Sequence, residues 1–204
     1  MSILNITPFL QLNFYFLYLI PNTNLKLFIM RKLLLTIALF SFCFSANAQF
    51  GASVGYGSGK AKVSGGGESV TSDASGAFAI GLFYDSEISD NLDLLPSIAF
   101  GIGEKVEDES NNSLAIGLGL QYYPSGKDGN FFIQPGLGLG FTLADVDTDF
   151  VKKSAFSGSI GLGIDLSDNF TLIASYATQL SNSSNIDDIT IKANSFGGSL
   201  LYKF

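Results

Sequence analysis

Leu114-Ala115-Ile116-Gly117-Leu118-Gly119-Leu120-Gln121-Tyr122 puts a large apolar side chain at every even position and a small or polar one at every odd position. The next segment repeats the pattern. Phe131, Ile133, Pro135, Leu137, Leu139 and Phe141 alternate with Phe132, Gln134, Gly136, Gly138 and Gly140. A period of two is the mark of a β-strand, whose successive side chains point to opposite faces. What decides the fold is the second face. A soluble sheet buries its apolar face and shows charge to water. Here the other face is mostly Gly, Ala and Ser, and glycine weakens a strand without gaining solubility. The assignment works in reverse: the large apolar residues face lipid and the small ones face a narrow lumen. Lipid leaves no water to satisfy an open sheet edge, so such a sheet must close.

Working outward, the same alternation recurs. Ile160, Leu162, Ile164 and Leu166 stand against Ser159, Gly161, Gly163 and Asp165. Phe78, Ile80, Leu82 and Tyr84 stand against Ala79, Gly81, Phe83 and Asp85. Leu92, Leu94, Pro96, Ile98 and Phe100 stand against Asp93, Leu95, Ser97, Ala99 and Gly101. Weaker flanking segments run from Phe50 to about Gly59, from Phe170 to Gln179 and from about Ile191 to Phe204. Short connections, Ser86 to Asn91, Pro124 to Asn130 and Ser167 to Asn169, are built of turn residues. The others are mostly longer and more acidic: roughly Lys60 to Ala74, Glu104 to Asn112, Ala144 to Lys153 and Ser181 to Asp188. Outer-membrane barrels have this asymmetry, with short periplasmic turns and longer outer loops. The expected fold is all-β, an eight-stranded antiparallel up-and-down transmembrane β-barrel.

On the predicted lipid face, near the short-turn end, lie Phe50, Tyr84, Tyr122, Phe131, Phe170, Tyr202 and Phe204. They form the expected periplasmic aromatic girdle. Pro96 and Pro135 fall on the same face; neither can donate to a ladder, and both are expected to mark bulges.

The front end reads as an export signal. Met30 is followed by Arg31 and Lys32, the apolar run Leu33 to Phe44, and the small-residue close Ser45-Ala46-Asn47-Ala48. A basic stretch, an apolar stretch and an A-x-A close define a cleaved signal peptide over 30–48, and Ala46 and Ala48 place the cut before Gln49. About 12 apolar residues fall short of the roughly 20 that a spanning helix needs. Residues 1–29 lack a basic start and read as an over-long start or an unstructured leader, so the barrel domain is 49–204. Cys43, the one cysteine, follows Phe42 where a lipidation site needs a small residue, and the mature chain has no disulfide.

Of 11 basic and 18 acidic residues, only Lys26, Arg31 and Lys32 precede the cut, which leaves eight basic residues and a net charge of −10. That excludes a nucleic-acid partner. Asp145, Asp147 and Asp149 suggest a calcium loop, but Phe150 and Phe156 stand where the loop needs Gly and Glu, so they read as a solvated acidic loop. Gly136-Leu137-Gly138-Leu139-Gly140 follows strand alternation with no helix after it and is no nucleotide motif. No metal or cofactor is expected. The chain has no histidine, the usual base for a Ser–His hydrolase, which argues against an enzyme. Asp85, Asp93, Asp165 and Lys203 read as a polar cluster in the lumen near the periplasmic rim. Phe83, Leu95, Phe132 and Leu201, also inward, should plug that end and leave a wet lumen above.

From Gln49 to Phe204 the chain resembles the eight-stranded outer-membrane β-barrels, the OmpA/OmpX-like and opacity-type porin-family barrels. The resemblance rests on the signal, the alternating strands and the ending Leu200-Leu201-Tyr202-Lys203-Phe204. It implies a Gram-negative outer membrane, outer-membrane lipid as surroundings, and a barrel-assembly machinery that reads the final aromatic of the last strand. Because the chain stops at Phe204, no periplasmic peptidoglycan-binding domain is expected to follow. The expected function is non-enzymatic, a structural or surface-interaction role through the outer loops with an unidentified external ligand. A small-solute pore is the rival, and a lipid-modifying barrel enzyme comes after it.

Overall fold

The structure is a computed structural model that describes residues 48–104, 111–143 and 149–204. Its strands are β1 (Ala48–Gly65), β2 (Glu68–Thr71), β3 (Ser75–Ser89), β4 (Leu92–Gly103), β5 (Asn112–Tyr122), β6 (Phe131–Thr142), β7 (Ser154–Asp165), β8 (Phe170–Gln179) and β9 (Thr190–Lys203). All neighbouring pairs are antiparallel, in the order β2-β1-β3-β4-β5-β6-β7-β8-β9. β1 also pairs with β9, from Gly51 opposite Lys203 to Ser64 opposite Thr190, and this closes the barrel.

Nine strands fill eight places. β2 and β3 both pair with β1, at Lys62–Gly65 and at Ala48–Gly59 respectively, so β2 continues β3 after a break. Ser72 spans the break: its backbone N–H donates to Ala61 O, and its Oγ accepts from Ala61 N. The expected loop over 60–74 is therefore a β-hairpin that extends the wall. Its reversal falls at Gly66 and Gly67, with φ of 60° and 85° that glycine adopts without penalty. The sequence pattern ends β1 early because above Gly59 alternation gives way to Lys60, Lys62 and Ser64.

The prolines behave differently from expectation. Pro96 pairs with Leu118 on one side, while the pairs that would join Tyr84 and Asp85 to β4 are missing on the other. Pro135 pairs with Ile160, while its pair toward Leu120 is missing. The register is unshifted on either side, so each proline interrupts one ladder without making a bulge. The irregularity lies instead at Glu87/Ser89, beside the two-residue turn Asp90-Asn91. β3 runs further than expected and shortens that connection from Ser86–Asn91.

The face assignment follows the alternation. Leu82, Ile98, Ile116, Leu118, Leu137, Ile160, Leu162 and Leu172 all lie exposed on the outer wall. Among the described residues only seven large apolar side chains are buried: Phe83, Tyr84, Leu95, Tyr123, Phe132, Ile173 and Leu201. An apolar surface this continuous is insoluble as a monomer and suits lipid.

Candidate functional site

Inward side chains form three layers from the short-turn end upward. The lowest is polar. Lys203 Nζ lies 2.6 Å from Asp85 Oδ2. Lys127 Nζ lies 2.8 Å from Asp93 Oδ1 and 3.3 Å from Glu87. Asp165 takes hydrogen bonds from Tyr123 Oη at 2.9 Å and from Thr171 Oγ1. These groups surround an open vestibule of about 380 Å³.

Above them Phe83, Leu95, Tyr123, Phe132, Ile173 and Leu201 make one contiguous buried cluster. Tyr123 and Phe132 pack with ring centroids 5.3 Å apart. Glycines make room for the rings: a Cβ at Gly163 would overlap Phe132, and one at Gly51 would overlap Phe83. Gln121 and Gln134, facing each other on the neighbouring strands β5 and β6, lie beside this layer, with Gln121 Nε2 donating to Gln134 Oε1 at 3.1 Å. The top layer is a cavity of about 210 Å³ lined by Ser53, Ser97, Ser159, Ser175 and Ser199 over that apolar floor.

The four residues expected as a lumen cluster all lie at this end, but they are not one group. Asp85 pairs with Lys203, Asp93 turns to Lys127, and Asp165 is held by hydroxyls. Lys127 went unread because it sits in the connection after β5, which lacks any periodicity to aim it. A 3-10 turn over Lys127–Gly129, entered at Gly126 (φ 75°) and left at Asn130 (φ 55°), folds it under the barrel. Tyr123 and Ile173 were legible in principle, since both continue the inward parity of their strands.

Burial alone would lower the Lys127 pKa, but the hydrogen bond and charge of Asp93, and then Glu87, outweigh it and raise the pKa above 10.5. The stability this adds is complete below the ordinary lysine value and is lost as pH rises through the raised one. The urea unfolding midpoint of the barrel in detergent should therefore fall above about pH 10.5, and Lys127→Arg should move that onset to higher pH. Burial, and then the neighbouring Asp165, raise the Tyr123 phenol above its ordinary value.

The seven expected girdle residues all lie on the outward face near the short-turn end. Phe50, Tyr122, Phe131, Phe170, Tyr202 and Phe204 are exposed. Tyr84 is 6% exposed, covered from the β1 side by the Phe50 ring at 5.0 Å. Phe170, Tyr202 and Phe204 stack in series. Of the expected cleavage residues, Ala46 lies outside the described residues. Ala48 and Gln49 open β1, opposite Ser86 and Asp85. Asp145 and Asp147 also lie outside the described residues. Among the described residues no group of three or more His, Cys, Asp or Glu side chains could hold a metal.

A family model described as outer membrane protein beta-barrel domain matches residues 33–204. No curated protein matches the sequence. Several solved structures resemble it. Neisserial surface protein A is 18% identical with a TM-score of 0.46, over 75% of this chain and 97% of that one. Ail of Yersinia pestis, in complex with the heparin analogue sucrose octasulfate, is 16% identical with a TM-score of 0.42, over 76% and 99%. OprG of Pseudomonas aeruginosa is 15% identical with a TM-score of 0.42, over 77% and 96%.

Proposed function

The chain belongs to the outer membrane protein beta-barrel domain family, and from that premise we propose that it is a non-enzymatic, non-conducting anchor that presents its outer loops and the β1–β2 hairpin to the cell exterior. The observation that carries this reading is the buried apolar layer Phe83, Leu95, Tyr123, Phe132, Ile173 and Leu201, which separates the serine-lined cavity from the vestibule. An eight-stranded barrel is narrow enough for side chains to fill. The short-turn end then faces the periplasm and the hairpin faces out. The barrel-assembly machinery would read β9 and its Tyr202 and Phe204. Liposome swelling with the refolded barrel tests the reading: no uptake of small sugars is expected, and steady uptake would favour the pore. The open cavity of about 210 Å³ above the plug is the feature that supports that rival.

Residues 30–48 are proposed as the cleaved export signal, with 1–29 an over-long start or leader and 49–204 the mature barrel. Intact-mass measurement of protein from the outer membrane should give a chain that begins at Gln49, in free or cyclised form. A mass that retains Met30 to Ala48 would refute the cleavage.

A further inference from the structure

The outer wall carries a second aromatic band and, directly above part of it, a patch of positive charge. Tyr56, Phe78, Tyr176 and Phe196 are all exposed on the outward face. Tyr56 stands opposite Phe78, with ring centroids 4.9 Å apart, and Tyr176 stands opposite Phe196. On β1, β3, β8 and β9 these rings end the apolar run, where outer-membrane barrels place their interfacial girdle.

Continuing up β1 and β9 on the same face come Lys60, Lys62 and Lys192. Lys62 pairs directly with Lys192, and Lys60 pairs with Asn194. Thr178 Oγ1 donates to Asn194 Oδ1 at 2.7 Å, which leaves the Asn194 NH2 as a further donor. A groove of about 340 Å³ is lined by Lys60, Lys62, Asn194, Tyr176 and Phe196. Three of the eight lysines after residue 48 therefore share one patch on a strongly acidic chain. Like charges directly opposite on paired strands are destabilising, and among the described residues none of the three makes an ion pair. Two carboxylates lie along the hairpin: Glu68 falls at inward parity, opposite Gly65, and Asp73 follows Ser72, which bonds to Ala61 beside Lys60, but neither makes an ion pair with the patch among the described residues. Such a cost is offset when a shared anion lies between the ammonium groups.

We propose that this patch binds the phosphate groups of an anionic lipid in the outer leaflet, with its acyl chains against the Tyr176–Phe196 shelf. Height favours a lipid. At about 3.3 Å per residue and a strand tilt of about 40°, Lys60 lies roughly 10 Å above Tyr56. Long lysine side chains reach back from there to the headgroup level. The proposal rests on the barrel's lying in a bilayer, and the test checks that separately.

The experiment refolds the full mature barrel with bisphosphorylated lipid A or with phosphatidylcholine and reads retained lipid by native mass spectrometry. A heat-modifiable gel band reports folding independently. Wild type should retain about tenfold more lipid A than phosphatidylcholine. The triple variant Lys60→Gln, Lys62→Gln, Lys192→Gln should lose that preference, whereas the double variant Lys152→Gln, Lys153→Gln in another connection should keep it. If the triple variant does not fold, Lys62→Gln or Lys192→Gln alone serves. Each relieves the like-charge pair, so each should fold at least as well as wild type and yet retain less lipid A. Equal retention in wild type and the patch variants, or an equal loss in the Lys152/Lys153 variant, would overturn the proposal. Displacement of lipid A by millimolar inorganic phosphate would also overturn it and assign the patch to free anions.

Discussion

Phe132→Ala is expected to destabilise the barrel by about 3–5 kcal/mol, the range for losing a fully packed phenylalanine, and to open a path through it. Phe132 has no solvent exposure. Its ring lies between Tyr123, which lines the vestibule, and the backbone of Gly163, within the apolar cluster whose Phe83, Leu95, Ile173 and Leu201 line the serine-rich cavity. Removing it is expected to thin the layer between the cavity of about 210 Å³ and the vestibule of about 380 Å³ enough to connect them. Planar-bilayer recording should show single-channel currents in the variant and none in wild type, while urea unfolding in detergent reads the stability loss. Gly163→Ala separates the two effects. Its Cβ would overlap the same ring, so overpacking should cost about 1–3 kcal/mol without opening the lumen. Wild-type currents equal to those of Phe132→Ala would mean that the apolar layer is not the barrier.

Leu118→Lys is expected to cost about 2–4 kcal/mol, the penalty for lysine at the bilayer midplane on a lipid face. Leu118 is the central member of the outward run Leu114 to Tyr122, stands opposite Pro96 and Leu137, and is exposed on the outer wall. Ser159→Lys introduces the same charge at a position that lines the upper cavity, where water and the neighbouring serines can solvate it. That variant should lose clearly less. Both are measured as unfolding midpoints in phospholipid bilayers. Equal losses, or a reversed order, would overturn the assignment of faces.

The strands and their faces were legible because period-two alternation is local. Leu114–Tyr122 and Phe131–Phe141 announce themselves without a partner, and the glycine-rich second face selects lipid over water outside. That Phe83, Leu95, Phe132 and Leu201 point inward at the short-turn end followed from parity and from the position of the turns. Height is another matter, because it depends on cross-strand register and on the stagger that closure imposes. Phe132 opposes Gly163 and Tyr123 bonds to Asp165, each across more than 30 residues; only pairing of whole strands decides that. The same holds for Lys62 meeting Lys192, since the sequence places them 130 residues apart and only the β1–β9 seam brings them together. Lys127 differs again: it lies in an irregular turn, and its aim at Asp93 comes from the left-handed residues Gly126 and Asn130 that bend the chain under the barrel. Alternation determined which side of the wall each strand residue occupies. Which residues meet across the lumen was decided by register, closure and turn geometry, because those set positions between segments that share no local signal.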